Sequence, residues 1–214
     1  MRFNLDNPVF TALGKVVDCA WLSILWLLCC LPVVTIGVSS TAMYYTVHKV
    51  IRGGRGYVSR TFFTALKDNF KQATLPYLVW LIAMAVLVCD ALITREVLLT
   101  GSKLGAFFYL FLVMLVVVMM WGCYLFSYTA RFANTVKATL RNSFILAVRH
   151  LPWSLLLIVI SAAAAVLIWL LPILTILIPT TAVLLFDLIL ERLFRKYMTP
   201  EDLAREEELD HLEE

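Results

Sequence analysis

Asp18, Asp90 and Asp187 are the charges that come closest to interrupting the long apolar stretches of this chain. An ionised carboxylate in hydrocarbon is costly. An acid kept in an apolar run therefore marks an ion or proton path, unless it lies close enough to the interface to reach water or a cation. Asp18 and Asp90 fall near the expected outer ends of their runs, with Lys15 and Arg95 at hand, and Asp187 near the inner end of the last run. The interfacial, structural reading of all three is favoured over an ion or proton site. His48, His150 and His211 lie in different connections, and no His-Glu-x-x-His, Gly-x-Ser-x-Gly or phosphate-loop pattern occurs. Gly53-Gly54-Arg55-Gly56 follows a helical pattern and lacks the phosphate-loop lysine and hydroxyl, so it reads as a turn. The cysteines at 19, 29, 30, 89 and 123 match neither zinc nor redox spacing and read as small buried hydrophobes. No catalytic residue, cofactor or metal site is expected.

The elements that carry these residues are membrane helices. The chain is 62% hydrophobic and 15% charged, against about 25% charged in soluble domains. A net charge of +3, without any tract of interleaved basic and aromatic residues, excludes a nucleic-acid partner. A crossing takes about 20 mostly apolar residues. The sequence predicts an all-α polytopic transmembrane helix bundle with spans at about 16–36, 74–93, 104–128, 152–171 and 173–190. Pro172 divides the last long run into a hairpin, because proline lacks the amide proton and clashes with the preceding turn. Residues 1–198 form a single transmembrane domain, and 199–214 an acidic tail helix started by Thr199-Pro200-Glu201-Asp202.

Basic residues in short connections stay in the cytoplasm. Lys49, Arg52, Arg55, Arg60, Lys67 and Lys71 follow the first span, and Arg131, Lys137, Arg141 and Arg149 the third. Arg192, Arg195, Lys196 and Arg205 follow the fifth, leaving Arg2, Lys15, Arg95 and Lys103 on the other side. Five spans thus place the C-terminus in the cytoplasm and the N-terminus outside. A sixth span at Val33–Val47 would bring the N-terminus inside and make three hairpins. That run is only about 22 Å long as a helix and carries Gly37, Ser39, Ser40 and Thr41, so five spans are preferred.

The connections read as amphipathic cytoplasmic helices. One stripe is Val58, Phe62, Leu66, Phe70 and Ala73, another Val136, Leu140, Phe144 and Val148, and packing of these stripes against the chain's own spans is favoured over direct adhesion to lipid. Ser40–Arg52 reads as an interfacial or re-entrant helix facing inward through Met43, Tyr44, Val47, Val50 and Ile51, and ending at Gly53. Pro32 and Gly37 are expected to bracket a helix break at Val33–Val38. Leu31-Pro32-Val33-Val34-Thr35-Ile36 echoes Leu171-Pro172-Ile173-Leu174-Thr175-Ile176, and Thr41-Ala42 recurs as Thr181-Ala182 at the same offset.

Leu31-Pro32-Val33-Val34-Thr35-Ile36-Gly37, Thr41-Ala42-Met43 and Asn69-Phe70-Lys71-Gln72-Ala73-Thr74 resemble the signature of the YesL family, small bacterial integral membrane proteins of unknown function. The resemblance implies a plasma membrane protein of Gram-positive type, encoded near carbohydrate ABC transporters and sensor–regulator pairs. It supplies no reaction and no substrate. The expected role is a non-enzymatic accessory of carbohydrate uptake or sensing, contacting an ABC transporter permease or membrane sensor within the lipid bilayer. The alternative is a small transporter or channel using Asp18 and Asp90.

Overall fold

Each uncharged run folds as a helix, because a backbone in an apolar setting must satisfy its own amides and carbonyls. The computed structural model describes residues 8–198, with side chains from Leu13 onward. It contains eight α-helices: α1 Pro8–Cys29, α2 Ile36–Thr46, α3 Val58–Asp68, α4 Phe70–Leu99, α5 Phe107–Arg131, α6 Val136–Arg149, α7 Leu151–Leu170 and α8 Ile178–Phe194. The chain is all-α among the described residues. The tail assigned to 199–214 lies outside them.

Among the described residues, three segments are long and apolar enough to cross a bilayer: α4, α5 with its leading turn from Lys103, and α7. The expectation of five or six spans is corrected to three candidate spans among the described residues. The run at 16–36 is cut where α1 ends at Cys29, and Lys15 and Asp18 shorten its uncharged part to Cys19–Cys29. The 11 residues of α2 rise about 17 Å and the 17 of α8 about 26 Å, both short of a layer of about 30 Å. α8 also buries Asp187 and Glu191. α4 is longer than expected, running 30 residues through Pro76.

The helices pair as three antiparallel hairpins: α1 with α2, α4 with α5, and α7 with α8. In the first, the Cys29 carbonyl accepts from Ser39 Oγ at 3.2 Å, and Trp26 Nε1 donates to Ser40 Oγ at 3.2 Å. Further back along α1, Trp21 Nε1 reaches Ser59 of α3 at 2.8 Å. α1 therefore begins at the end of the bundle where α2 finishes and α4 begins, the end that also receives the close of α8. The five-span threading had set those two ends on opposite sides. The expected break at Val33–Val38 is displaced. The turn occupies Cys30–Thr35 and helix α2 already includes Gly37 and Val38. Gly37 is a packing residue here, since a Cβ at that position would overlap the Tyr77 side chain.

Two clusters make the core. One joins Cys19, Leu22 and Leu25 of α1 to Val47, Ile51, Val58 and Phe62. The other joins Tyr44, Tyr124, Tyr128, Leu157, Leu190 and Phe194. The expected inward face of Met43, Tyr44, Val47, Val50 and Ile51 is buried throughout. On α6 the expected stripe is turned outward. Phe144 and Val148 are exposed, while Thr139, Ser143, Leu146 and Ala147 pack inward and Trp121 donates to Ser143 Oγ at 2.9 Å.

Candidate functional site

The chemistry of the molecule gathers at the closing end of α2. There the helix widens into a π-helical turn, Val47–Arg52, an irregularity frequent at functional positions. Tyr44, His48 and Arg52 are spaced four apart, as are Asp187 and Glu191 on α8, so each set shares a face. The two faces meet. Asp187 Oδ2 accepts from Arg52 at 2.8 Å, and its Oδ1 lies 2.9 Å from His48 Nδ1. Glu191 Oε1 accepts from Arg131, at the end of α5, at 2.7 Å, with Arg195 Nε at 3.8 Å. His48 Nδ1 lies 3.7 Å from Glu191 Oε2.

Both carboxylates are shut away from solvent, Asp187 at 0% and Glu191 at 1% exposure. A buried ion needs paired charge and hydrogen bonds to offset its lost hydration. Two acids facing two guanidiniums meet the first need. The Asp187 hydrogen bond raises the Arg52 guanidinium above its ordinary value, outweighing the burial that opposes it. The network spans the π turn, α5 and α8, and so bolts one helix from each of the three hairpins together.

His48 Nδ1, an Asp187 oxygen and a Glu191 oxygen lie within 4.8 Å of one another, a spacing a metal ion could use. The surrounding charge does not suit one. Arg52 and Arg131 already neutralise both acids, so a divalent ion would leave two uncompensated positive charges in a desolvated place. The six charged or ionisable groups gathered here, His48, Arg52, Arg131, Asp187, Glu191 and Arg195, make a structural joint.

Outside the joint, the same π turn borders a cavity of about 460 Å³ with Lys49, Arg55 and Arg60 in its wall. Tyr45 and Thr64 separate it from a second cavity of about 240 Å³ that reaches Asp68, Asn69 and Arg131.

The residues singled out from sequence are scattered. Asp187 is in the joint. Asp18 is exposed on α1, and Asp90 half-buried on α4, 20 residues beyond its first, Phe70. α1 begins at the end where α4 begins, so these two acids stand at opposite ends of the bundle. Pro32 and Thr35 shape the α1–α2 turn, where Thr35 Oγ1 donates to the Cys29 carbonyl at 2.6 Å, and Gly37 packs α2 against Tyr77. Thr41 is buried and returns its hydroxyl to the Gly37 carbonyl at 2.9 Å. Asn69 links α3 to α4 and donates to the Ala65 carbonyl at 2.9 Å, while Phe70 and Lys71 are exposed. His48, Arg52, Arg131 and Glu191 were not anticipated. Their legible signal was the four-residue spacing of Asp187 with Glu191 and of His48 with Arg52.

The fold and this joint define a multi-pass α-helical membrane protein whose polar groups meet at one end. Residues 19–91 match the model of a family described as "Protein of unknown function, DUF624". The matched stretch covers the first hairpin from Cys19, the π turn, α3 and most of α4, and stops short of Arg131, Asp187 and Glu191. No curated protein and no solved structure matches the chain.

Proposed function

We infer that the protein is a non-enzymatic membrane accessory acting by helix–helix contact with a permease or sensor of a carbohydrate uptake system. The observation that carries this is how its polar interior is spent. The buried acids are committed to guanidiniums that hold the three hairpins together, whereas an enzyme or carrier needs such groups turned towards a substrate. The long helices instead present side chains outward: Val113 and Tyr109 on α5, Val159 and Leu155 on α7. The resemblance to the YesL family, which falls on residues within the matched region, adds the carbohydrate setting by association alone. A transporter using Asp18 and Asp90 has less support, because the two acids are at opposite ends of the bundle.

Lys49, Arg52, Arg55, Arg60 and Arg131 all belong to the end where α4 starts and α5 closes, while Arg95 and Lys103 belong to the other. The positive-inside rule puts the first end in the cytoplasm of a bacterial cell. α1 then starts on the cytoplasmic side, contrary to the five-span reading. The test is a photo-crosslinking amino acid at Val113 or Val159 in the native host membrane. Peptides of a permease or sensor recovered from either position support the reading. Recovery of this chain's own peptides alone contradicts it.

A further inference from the structure

We propose that the outward face of α6 binds an anionic phospholipid of the cytoplasmic leaflet, with Lys137 and Arg141 on the phosphate and Phe144, Ile145 and Val148 against the acyl chains. Connectivity sets the level of this helix. It is joined to α5 through residues 132–135 and to α7 through His150 alone, and both neighbours are candidate spans. Ser154 Oγ donates to Tyr124 Oη at 3.2 Å, so α7 starts level with the close of α5. A helix tied so closely to one end of two spans lies where hydrocarbon meets headgroups. Its inner side is fixed there. Asn142 Nδ2 donates to Tyr128 Oη at 3.0 Å, and Phe144 meets the Trp121 ring edge-on with centroids 5.7 Å apart.

The exposed positions Lys137, Arg141, Phe144, Ile145 and Val148 recur at helical spacing, opposite buried Thr139, Ser143, Leu146 and Ala147. Along its length this face is cationic over the first turns and apolar over the last. The apolar half continues into exposed Leu151, Trp153 and Leu155 of α7, where an indole suits the interface. A phospholipid is divided in the same way, and charge selects its headgroup. No acidic residue occurs in residues 97–186. Among the described residues no carboxylate pairs with Lys137 or Arg141. Arg149 lies over the Tyr197 ring at 5.7 Å, which leaves the other two cations to the headgroup. The expected packing of this stripe against the chain's own spans is thus reversed on α6. On α3 it holds: Val58 and Phe62 are buried, and Asp68 stands among the outward Arg60 and Lys67. The lipid site stands apart from the accessory reading and survives or fails without it.

The test reconstitutes the full-length chain in phosphatidylcholine vesicles with increasing phosphatidylglycerol. Spin-labelled versions of the two lipids measure what the protein holds, and amide exchange over residues 136–149 reports whether it is held at α6. Phosphatidylglycerol is expected to be preferred and to slow exchange in α6. Lys137→Gln and Arg141→Gln should each lower its affinity about fivefold. Arg141→Lys should retain most of it, and thermal unfolding in phosphatidylcholine alone should not move. Ile145→Ser should weaken binding while leaving its dependence on salt intact. Lys67→Gln removes a charge from α3 at the same end of the molecule and should change neither readout. Equal affinity for the two lipids, or an equal loss with Lys67→Gln, would leave only the general attraction of a basic surface and overturns the proposal. So does protection of α6 in phosphatidylcholine alone that rises with protein density, which would assign the face to a second copy of the chain.

Discussion

The α1–α2 and α7–α8 hairpins turn on the same six-residue pattern yet end as different objects. In both, proline opens a 3-10 turn and a threonine three residues on closes it: Thr35 Oγ1 donates to the Pro32 carbonyl at 2.7 Å and Thr175 Oγ1 to the Pro172 carbonyl at 2.6 Å. Past the turn they diverge. Gly37 lets α2 lie directly on Tyr77, whereas Leu177 stands at the corresponding place before α8. α2 is buried along most of its length and carries Ser39, Thr41 and Thr46 inside. The α7 partner of α8 faces outward with large apolar side chains. The turn is therefore encoded locally by Leu-Pro-x-x-Thr-Ile. Whether a hairpin becomes a bilayer crossing depends on the length and burial of the helices it joins.

Substitutions can break this comparison. The largest effect is expected where the hairpins are joined. Asp187→Ala leaves Arg52 and His48 facing a void and should cost about 3–5 kcal/mol in a thermal unfolding series. Gly37→Ala should cost about 1–3 kcal/mol by overpacking against Tyr77, while Leu177→Met, a swap that nearly conserves volume in the other hairpin, should stay well below that. Tyr77→Phe removes the 2.8 Å hydrogen bond to the Val33 carbonyl and should cost about 1 kcal/mol. Smallest are Thr35→Val and Thr175→Val, at under about 1 kcal/mol each. Thr35 Oγ1 has the Cys29 carbonyl as a second acceptor, whereas Thr175 Oγ1 has the Pro172 carbonyl, so the first turn is the more tightly bound and a larger loss at Thr175 than at Thr35 would contradict this.

Helical class, the proline turns and the inward face of Ser40–Arg52 were legible in the sequence, because each depends on local periodicity or on proline chemistry. The number of candidate spans was not. Hydropathy averages over a run and does not reveal that the helix stops at Cys29 or that α2 and α8 are short. Gly37 read as a helix breaker because propensity is a local quantity, whereas its use is a long-range contact with Tyr77. The α6 face was misread for the opposite reason. In an apolar surrounding the large residues Phe144 and Val148 can face outward, and small ones such as Ser143 and Ala147 allow close packing. Asp187 stood out as a charge near the end of an apolar run, although its burial did not. Its partners did not, since His48 and Arg52 arrive from a segment more than 130 residues away in sequence.

The central claim is that buried ion pairs, rather than apolar contact alone, hold the hairpins in register. A double-mutant cycle on the 2.7 Å pair between Arg131 and Glu191 tests it most directly, with unfolding free energies measured for Arg131→Met, Glu191→Leu and the double variant. Arg131→Met alone should cost about 3–5 kcal/mol by stranding Glu191, and the double variant should recover much of that loss. Additive losses, or a negligible cost of Arg131→Met, would show that the pair does not join α5 to α8.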